Sequence, residues 1–192
     1  MHSLGAVVLL HCLSLIVSQA LGYAFYGCSG LTSMTIGNSV TSIGNEAFRY
    51  LSGIRSLTLP ASLRSIGESA FSQCGGLLSV RAEDGTSLVI EESAFADNSD
   101  LSEFVFDTKQ MVKLLGEKVF QNCASLRYVQ FRKGIKTVVG VSGFHCSSGS
   151  SCECGKGFQN ALSEDSAYFS CTPCPLGTFS PSNSLRNTSC QP

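Results

Sequence analysis

Apolar and polar positions along the chain recur in register. Ile43-Gly44-Asn45-Glu46-Ala47-Phe48 returns as Ile66-Gly67-Glu68-Ser69-Ala70-Phe71, and copies anchored on the Ala-Phe step begin at Ala24, Ala47, Ala70 and Ala94, then at Val119-Phe120 and Gly143-Phe144. The spacings are 23, 23, 24, 25 and 24 residues. A period of that size marks a solenoid, in which one unit is too short to bury its own apolar face and stacking of neighbours supplies the core.

Within the units, Leu57-Thr58-Leu59, Val80-Arg81-Ala82, Phe104-Val105-Phe106 and Val129-Gln130-Phe131 alternate with period two. This predicts one short strand per turn with a single buried face, and hence a stacked parallel sheet. Apolar segments at residues 63–66, 88–90 and 135–139, β-branched or leucine-rich, predict a second strand on another wall. Glycines 22, 44, 67, 116 and 140 mark the following corner and imply positive φ or a close approach there; Glu91 breaks the series, so a less regular corner is expected in the fourth copy. The Ala-Phe-x-x-Cys stretches are expected as single helical turns. Phe25, Phe48, Phe71, Phe95, Phe120 and Phe144 would then stack as an aromatic column in the core.

The consensus Ile-Gly-x-x-Ala-Phe-x-x-Cys-x-x-Leu-x-x-Val-x-Ile-Pro-x-Ser-Val resembles the BspA-type leucine-rich repeat. Residues 43–69 follow it almost position by position, with Leu51 where Cys is usual and Pro60 at the expected place. The resemblance covers residues 21–144, departs after Ala82 where Glu83-Asp84-Gly85-Thr86 replaces the proline turn, and is loosest in 107–142. It implies a mainly β chain, a short right-handed solenoid of parallel stacked strands with short helical turns, and a part in adhesion or in host or matrix recognition.

The two ends read differently. Residues 4–17 form an apolar run interrupted by His11 and Ser14, followed by Ser18-Gln19-Ala20 with small residues at −3 and −1. That is the pattern of a signal peptide of residues 1–20, cleaved after Ala20, although Met1-His2 lacks the usual positive charge; the run is shorter than a spanning helix requires. Ten cysteines in 192 residues is high, and Cys146, Cys152, Cys154, Cys171, Cys174 and Cys190 crowd the tail among Ser, Gly, Asn and Pro. Such density points to an oxidising, extracellular compartment, with these six in three disulfides. Cys171-Thr-Pro-Cys174-Pro-Leu-Gly-Thr-Phe179, with Cys190 near the end, resembles the cysteine-rich repeats of ephrin-receptor-like and tumour-necrosis-factor-receptor-like ectodomains. Residues 145–192 are therefore expected to be a small disulfide-rich module, truncated at Pro192 because such repeats continue with a further Cys. Asn187-Thr188-Ser189 is a glycan acceptor motif in the same polar stretch.

Charge and composition narrow the function classes. With 43% hydrophobic and 14% charged residues and a net charge of −1, the chain can fold and carries no basic stripe for nucleic acid. Membrane attachment would require a segment beyond residue 192. Catalysis and cofactors are not expected. After signal removal His145 is the remaining imidazole, adjacent in sequence to Cys146, and no nucleophile elbow, HExxH or P-loop is present. Cys152-x-Cys154 with Cys171-x-x-Cys174 could in principle hold zinc, but the first pair is one residue too close for a zinc knuckle. The expected function is recognition of a protein or glycan partner by a secreted or cell-surface protein. The alternatives are a receptor ectodomain, or a structural coat or spacer.

Strand alternation locates the candidate surface. If Leu57, Leu59 and their equivalents point inward, the outward columns read Ser33 and Thr35, Ser56 and Thr58, Ser79 and Arg81, Glu103 and Val105, Tyr128 and Gln130. Their distinctive end is the later one, so Arg81, Glu103 and Tyr128 are the candidate ligand-binding residues. Cys28, Cys74 and Cys123 recur at one repeat position, with Leu51 and Asn98 between. Lying two turns apart, on the order of 10 Å at ~4.8 Å per strand, they are expected as three buried thiols.

Overall fold

The computed structural model describes residues 19–20, 22–85, 87–114, 118–132, 137–140, 145–147, 151–153, 158–161 and 168–173, with side chains described within 22–85, 87–113 and 118–132. Residues 1–18, Phe144, Cys154, Cys174, Asn187 and Cys190, together with the side chains of Cys146, Cys152 and Cys171, lie outside the described residues.

The alternating segments form strands Ser56–Leu59, Ser79–Ala82, Glu103–Phe106 and Tyr128–Arg132, paired in parallel so that each residue meets its repeat equivalent. Leu57, Val80, Phe104 and Val129 make one inward column, and Leu59, Ala82, Phe106 and Phe131 the next; all eight are buried. The second wall is a parallel series of Gln19–Ala20, Ser42–Ile43, Ser65–Ile66, Leu88–Ile90, Met111–Leu114 and Thr137–Gly140. Gln19–Ala20, the last two residues of the expected signal segment, thus supply the first rung of this wall. The first unit has no strand equivalent to Ser56–Leu59, which stands at the edge of its sheet.

The stretches around Ala-Phe are turns, and no helix occurs among the described residues. Each turn in the first four units is bracketed by two residues of positive φ: Tyr23 and Gly27, Glu46 and Tyr50, Ser69 and Gln73, Ser93 and Asp97. A left-handed residue interrupts the right-handed course a helix needs. The alternative pairing uses the stacked neighbour. Phe25, Phe48, Phe71 and Phe95 donate their N–H to the carbonyls of Ala47, Ala70, Ala94 and Val119 at 2.7 to 3.1 Å, and the second left-handed residue of each turn donates likewise, Gly27 to Arg49, Tyr50 to Ser72, Gln73 to Ala96 and Asp97 to Gln121. Intervening residues close i to i−3 bonds, such as Arg49 to Glu46 and Ser72 to Ser69. The turns are a third hydrogen-bonded wall, which satisfies main-chain groups that a single helical turn would leave unpaired.

Gly67 acts by close approach, since the left-handed conformation falls two residues later, at Ser69. A Cβ on Gly67 would lie 2.3 Å from Asn45 Oδ1 and 2.7 Å from Asn45 N, because the Asn45 side chain is folded over to accept the Glu68 N–H at 3.1 Å. The corner at Glu91 is as regular as the others: Glu91 N–H meets Ile66 O at 2.9 Å, as Gly67 N–H meets Ile43 O at 2.9 Å, and Ser93 carries the positive φ of 57°. Nothing at residue 91 demands a glycine φ.

The aromatic column forms as expected over the described residues. Phe25, Phe48, Phe71 and Phe95 stack nearly face to face with centroids 5.0, 5.1 and 5.3 Å apart, one ring per turn and close to the ~4.8 Å strand spacing. The step to Phe120 opens to 6.3 Å, where the repeat is longest and Phe104 packs edge-on against both rings at 4.9 and 5.2 Å. A second stack joins Phe106 to Phe131 at 5.0 Å.

Beyond Gly140 the chain joins both sheets antiparallel. His145–Ser147 pairs with the strand Thr137–Gly140 and then with Ser151–Glu153, which sets Cys146 opposite Cys152. Tyr168–Pro173 pairs with Tyr128–Arg132 on one side and Phe158–Ala161 on the other.

Candidate functional site

The outward face of the first sheet follows from strand alternation, and its columns keep register. Ser56, Ser79, Glu103 and Tyr128 form one; Thr58, Arg81, Val105 and Gln130 form the next. Tyr128 Oη donates to Glu103 Oε2 at 2.5 Å across adjacent strands. Arg81 Nη1 meets Asp107 Oδ2 at 3.0 Å, while Arg132 Nη1 meets Asp107 Oδ1 at 2.9 Å, so one carboxylate bridges two guanidinium groups from the strands on either side. The candidates Arg81, Glu103 and Tyr128 therefore share a face but enter two separate contacts. Asp107, the hub of the larger one, and Arg132 were absent from the sequence-derived set; the signal available was their shared place just beyond the core columns, 25 residues apart.

Val105, expected to point outward and be exposed, is buried. It stands in register between Arg81 and Gln130, and Arg81 extends from there to Asp107, two residues along Val105's own chain. Long polar side chains cover apolar surface with their stems, so alternation places Val105 on the outer face without exposing it.

At the other end of this face a cleft of about 220 Å³ is lined by Met34, Thr35, Ile36, Asn38, Ser56, Thr58, Pro60 and Glu83. It is smaller than the ~300–1,000 Å³ typical of small-molecule sites and holds one ionisable group. Among the described residues no group of three or more His, Cys, Asp or Glu could hold a metal ion, and no helix is long and apolar enough to cross a membrane.

The recurring cysteine position is a buried polar seam. Cys74 Sγ donates to Phe48 O at 3.1 Å and Cys123 Sγ to Phe95 O at 3.2 Å; between them Asn98 Nδ2 donates to Phe71 O at 2.9 Å and Phe95 O at 2.8 Å, while its Oδ1 accepts the Cys74 N–H at 2.8 Å. Each side chain thus covers the Phe carbonyl of the preceding turn. Burial pushes the thiols of Cys74 and Cys123 up to about 12, which leaves them protonated and poor nucleophiles at neutral pH. Cys74 and Cys123 are free thiols. Cys28 departs from the expectation of three: it is disulfide-bonded, and its partner's side chain lies outside the described residues. Cys28 lies in the first unit and is only partly buried, unlike Cys74 and Cys123.

The repeat geometry agrees with the sequence family. The BspA type Leucine rich repeat region matches residues 21–151 in six copies. The chain belongs to the BspA-type leucine-rich repeat family. The match extends past the repeat region read from the sequence, into the antiparallel strands around Cys146. Members of this family are commonly adhesion-related and typically secreted or at the cell surface. No curated protein and no solved structure matches the chain.

Proposed function

We propose that this BspA-type protein is a secreted or cell-surface recognition protein that binds a protein or glycan partner through its repeat array and performs no catalysis. The observation that carries the reading is the change along the outward sheet face. Ser and Thr occupy it at the first turns, whereas Arg81, Glu103, Asp107, Tyr128 and Arg132 form paired, oriented groups at the later ones. Extended solenoid faces are common partner surfaces, and Tyr and Arg are favoured anchors within them. Secretion with removal of residues 1–20, disulfides among the six tail cysteines and a glycan on Asn187 belong to the same proposal.

The test is a binding screen of the secreted protein against immobilised matrix proteins and neutral oligosaccharides, repeated with Arg81→Ala, Glu103→Ala and Tyr128→Ala. The expected result is affinity lowered tenfold or more with the thermal transition nearly unchanged. Unaltered affinity in all three variants would remove the face from the account. N-terminal sequencing of protein from a eukaryotic secretion host should give Leu21 as the first residue; an intact Met1 on cytosolic protein contradicts the secreted reading.

A further inference from the structure

The third wall carries a surface feature that the sheet face does not explain. Of the four exposed large hydrophobic residues among those described, Tyr23, Tyr26, Tyr50 and Leu78, the three tyrosines form one cluster on the first two turns. Tyr23 and Tyr26 are tilted by 47° with centroids 5.9 Å apart, and Tyr26 meets Tyr50 edge-on at 5.2 Å. Their exposures are 60%, 46% and 37%.

An ion pair fixes the cluster. Arg49 Nη1 donates to Glu46 Oε2 at 2.8 Å, Tyr23 Oη donates to Glu46 Oε1 at 2.9 Å, and the Arg49 guanidinium carbon stands 4.9 Å from the centre of the Tyr50 ring. The hydrogen bonds from Arg49 and Tyr23 hold the Glu46 carboxyl below its ordinary range. The 23-residue register explains the assembly, since Tyr23 falls beside Glu46 and Tyr26 beside Arg49 once the turns stack. The result is pre-organised aromatic surface, with phenol hydroxyls and a charge pair that neutralises itself.

Three physical features restrict the ligand. The internal ion pair leaves the patch without net charge to select a phosphate, a nucleic acid or a lipid headgroup. The outward main-chain N–H groups on the first two turns of this wall are already used: Tyr23, Phe25 and Gly27 donate to Asn45, Ala47 and Arg49, and Glu46, Phe48 and Tyr50 donate to Glu68, Ala70 and Ser72. An added peptide strand would find none of these N–H groups free and could not form the two-way exchange of bonds that strand addition rests on. Area decides against a protein face: at about 200 Å² per ring the exposed fractions leave roughly 300 Å², against ~800 Å² per partner in a standard interface.

A neutral sugar ring meets all three conditions, having an apolar C–H face for an aromatic ring and hydroxyls that both donate and accept. We infer that Tyr23, Tyr26 and Tyr50, with Glu46 and Arg49, form a shallow binding site for a neutral mono- or oligosaccharide, separate from the sheet face that carries Arg81, Glu103 and Tyr128.

The chain contains no Trp and five Tyr, three of them in the patch, so tyrosine emission reports on the site directly. The full secreted protein is titrated with neutral di- to tetrasaccharides of glucose, galactose, mannose and N-acetylglucosamine up to ~10 mM, the affinity range of so small a footprint. Calorimetry accompanies the titration. At least one sugar should give a saturable response, weakened tenfold or more by Tyr26→Ala and by Tyr23→Ala and unchanged by Lys118→Ala, an exposed residue of the fifth unit outside both surfaces, with equal melting temperatures throughout. Absence of saturable binding to every sugar, or binding indifferent to Tyr26→Ala, overturns the inference. So does concentration-dependent dimerisation that Tyr26→Ala abolishes, which would give the patch to a second copy of the chain.

Discussion

The phenylalanine spine and the outward sheet face are built from the same repeat, yet they differ in what the repeat preserves. Along the spine one residue type returns at each described turn and its rings stack 5.0 to 6.3 Å apart. On the face the residue type changes from Ser56 and Ser79 to Glu103 and Tyr128 in a single column. Positions that must pack against their own copies are held constant, whereas positions that meet solvent are free to diverge. Stability and recognition are therefore separable here, and substitutions can be ordered by how far they damage one without the other.

Phe71→Ala should be the most damaging. It removes a fully buried ring stacked on both sides, and a loss of about 3–5 kcal/mol is expected, measured by chemical denaturation. Phe25→Ala, at the start of the column and more exposed, should cost visibly less; equal losses would deny that the rings act as a stack. Asn98→Ala comes next, at about 1–3 kcal/mol, because the Cys74 N–H and the carbonyls of Phe71 and Phe95 lose a buried partner. Gly67→Ala should cost a similar ~1–3 kcal/mol through overpacking, since its Cβ would meet the Asn45 backbone as well as its side chain.

The buried thiols give a pH signature. Their value of about 12 lies above the ordinary 9.0, so the folded protein holds its protons more tightly than the unfolded chain. Their contribution to stability is complete below pH 9 and is lost as pH rises towards 12, which a series of alkaline denaturation curves will show. Serine at both positions should flatten that slope. At the small end, Arg81→Ala removes a half-exposed ion pair with Asp107 and should change stability by under ~1 kcal/mol. That small effect is what permits its use as a binding probe.

The spine and the inward columns were legible because stacking repeats a residue in sequence whenever it repeats a contact in space. Leu57, Val80, Phe104 and Val129 could be aligned by eye, and the structure pairs them. The third wall was misread as helical turns for a physical reason. Ala-Phe followed by polar residues is compatible with a helix, and only the demand of each N–H for a carbonyl in the next turn selects the left-handed residues at Glu46 and Tyr50 or Ser69 and Gln73. No local propensity announces that demand, because Glu, Tyr, Ser and Gln are not residues that favour positive φ.

The candidate surface was half legible for a similar reason. Alternation finds which side of a strand a residue takes, so Arg81, Glu103 and Tyr128 emerged together. Burial on that side depends on lateral neighbours, so Val105 was placed outward and is nevertheless covered, and the bridging part of Asp107 stayed hidden. The antiparallel pairing of Tyr168–Pro173 with Tyr128–Arg132 was not foreseen either, because it joins repeated to non-repeated sequence.

The central claim is that the array has three hydrogen-bonded walls, the turns included, and amide hydrogen exchange resolved by residue tests it most directly. Amides bonded between turns and closed off at the core should exchange last. The N–H groups of Phe48, Phe71 and Phe95, bonded to Ala70, Ala94 and Val119, should exchange as slowly as those of Val80 and Phe104 in the central strands. Exchange of the three phenylalanine amides at loop-like rates, with the strands still protected, would contradict the third wall.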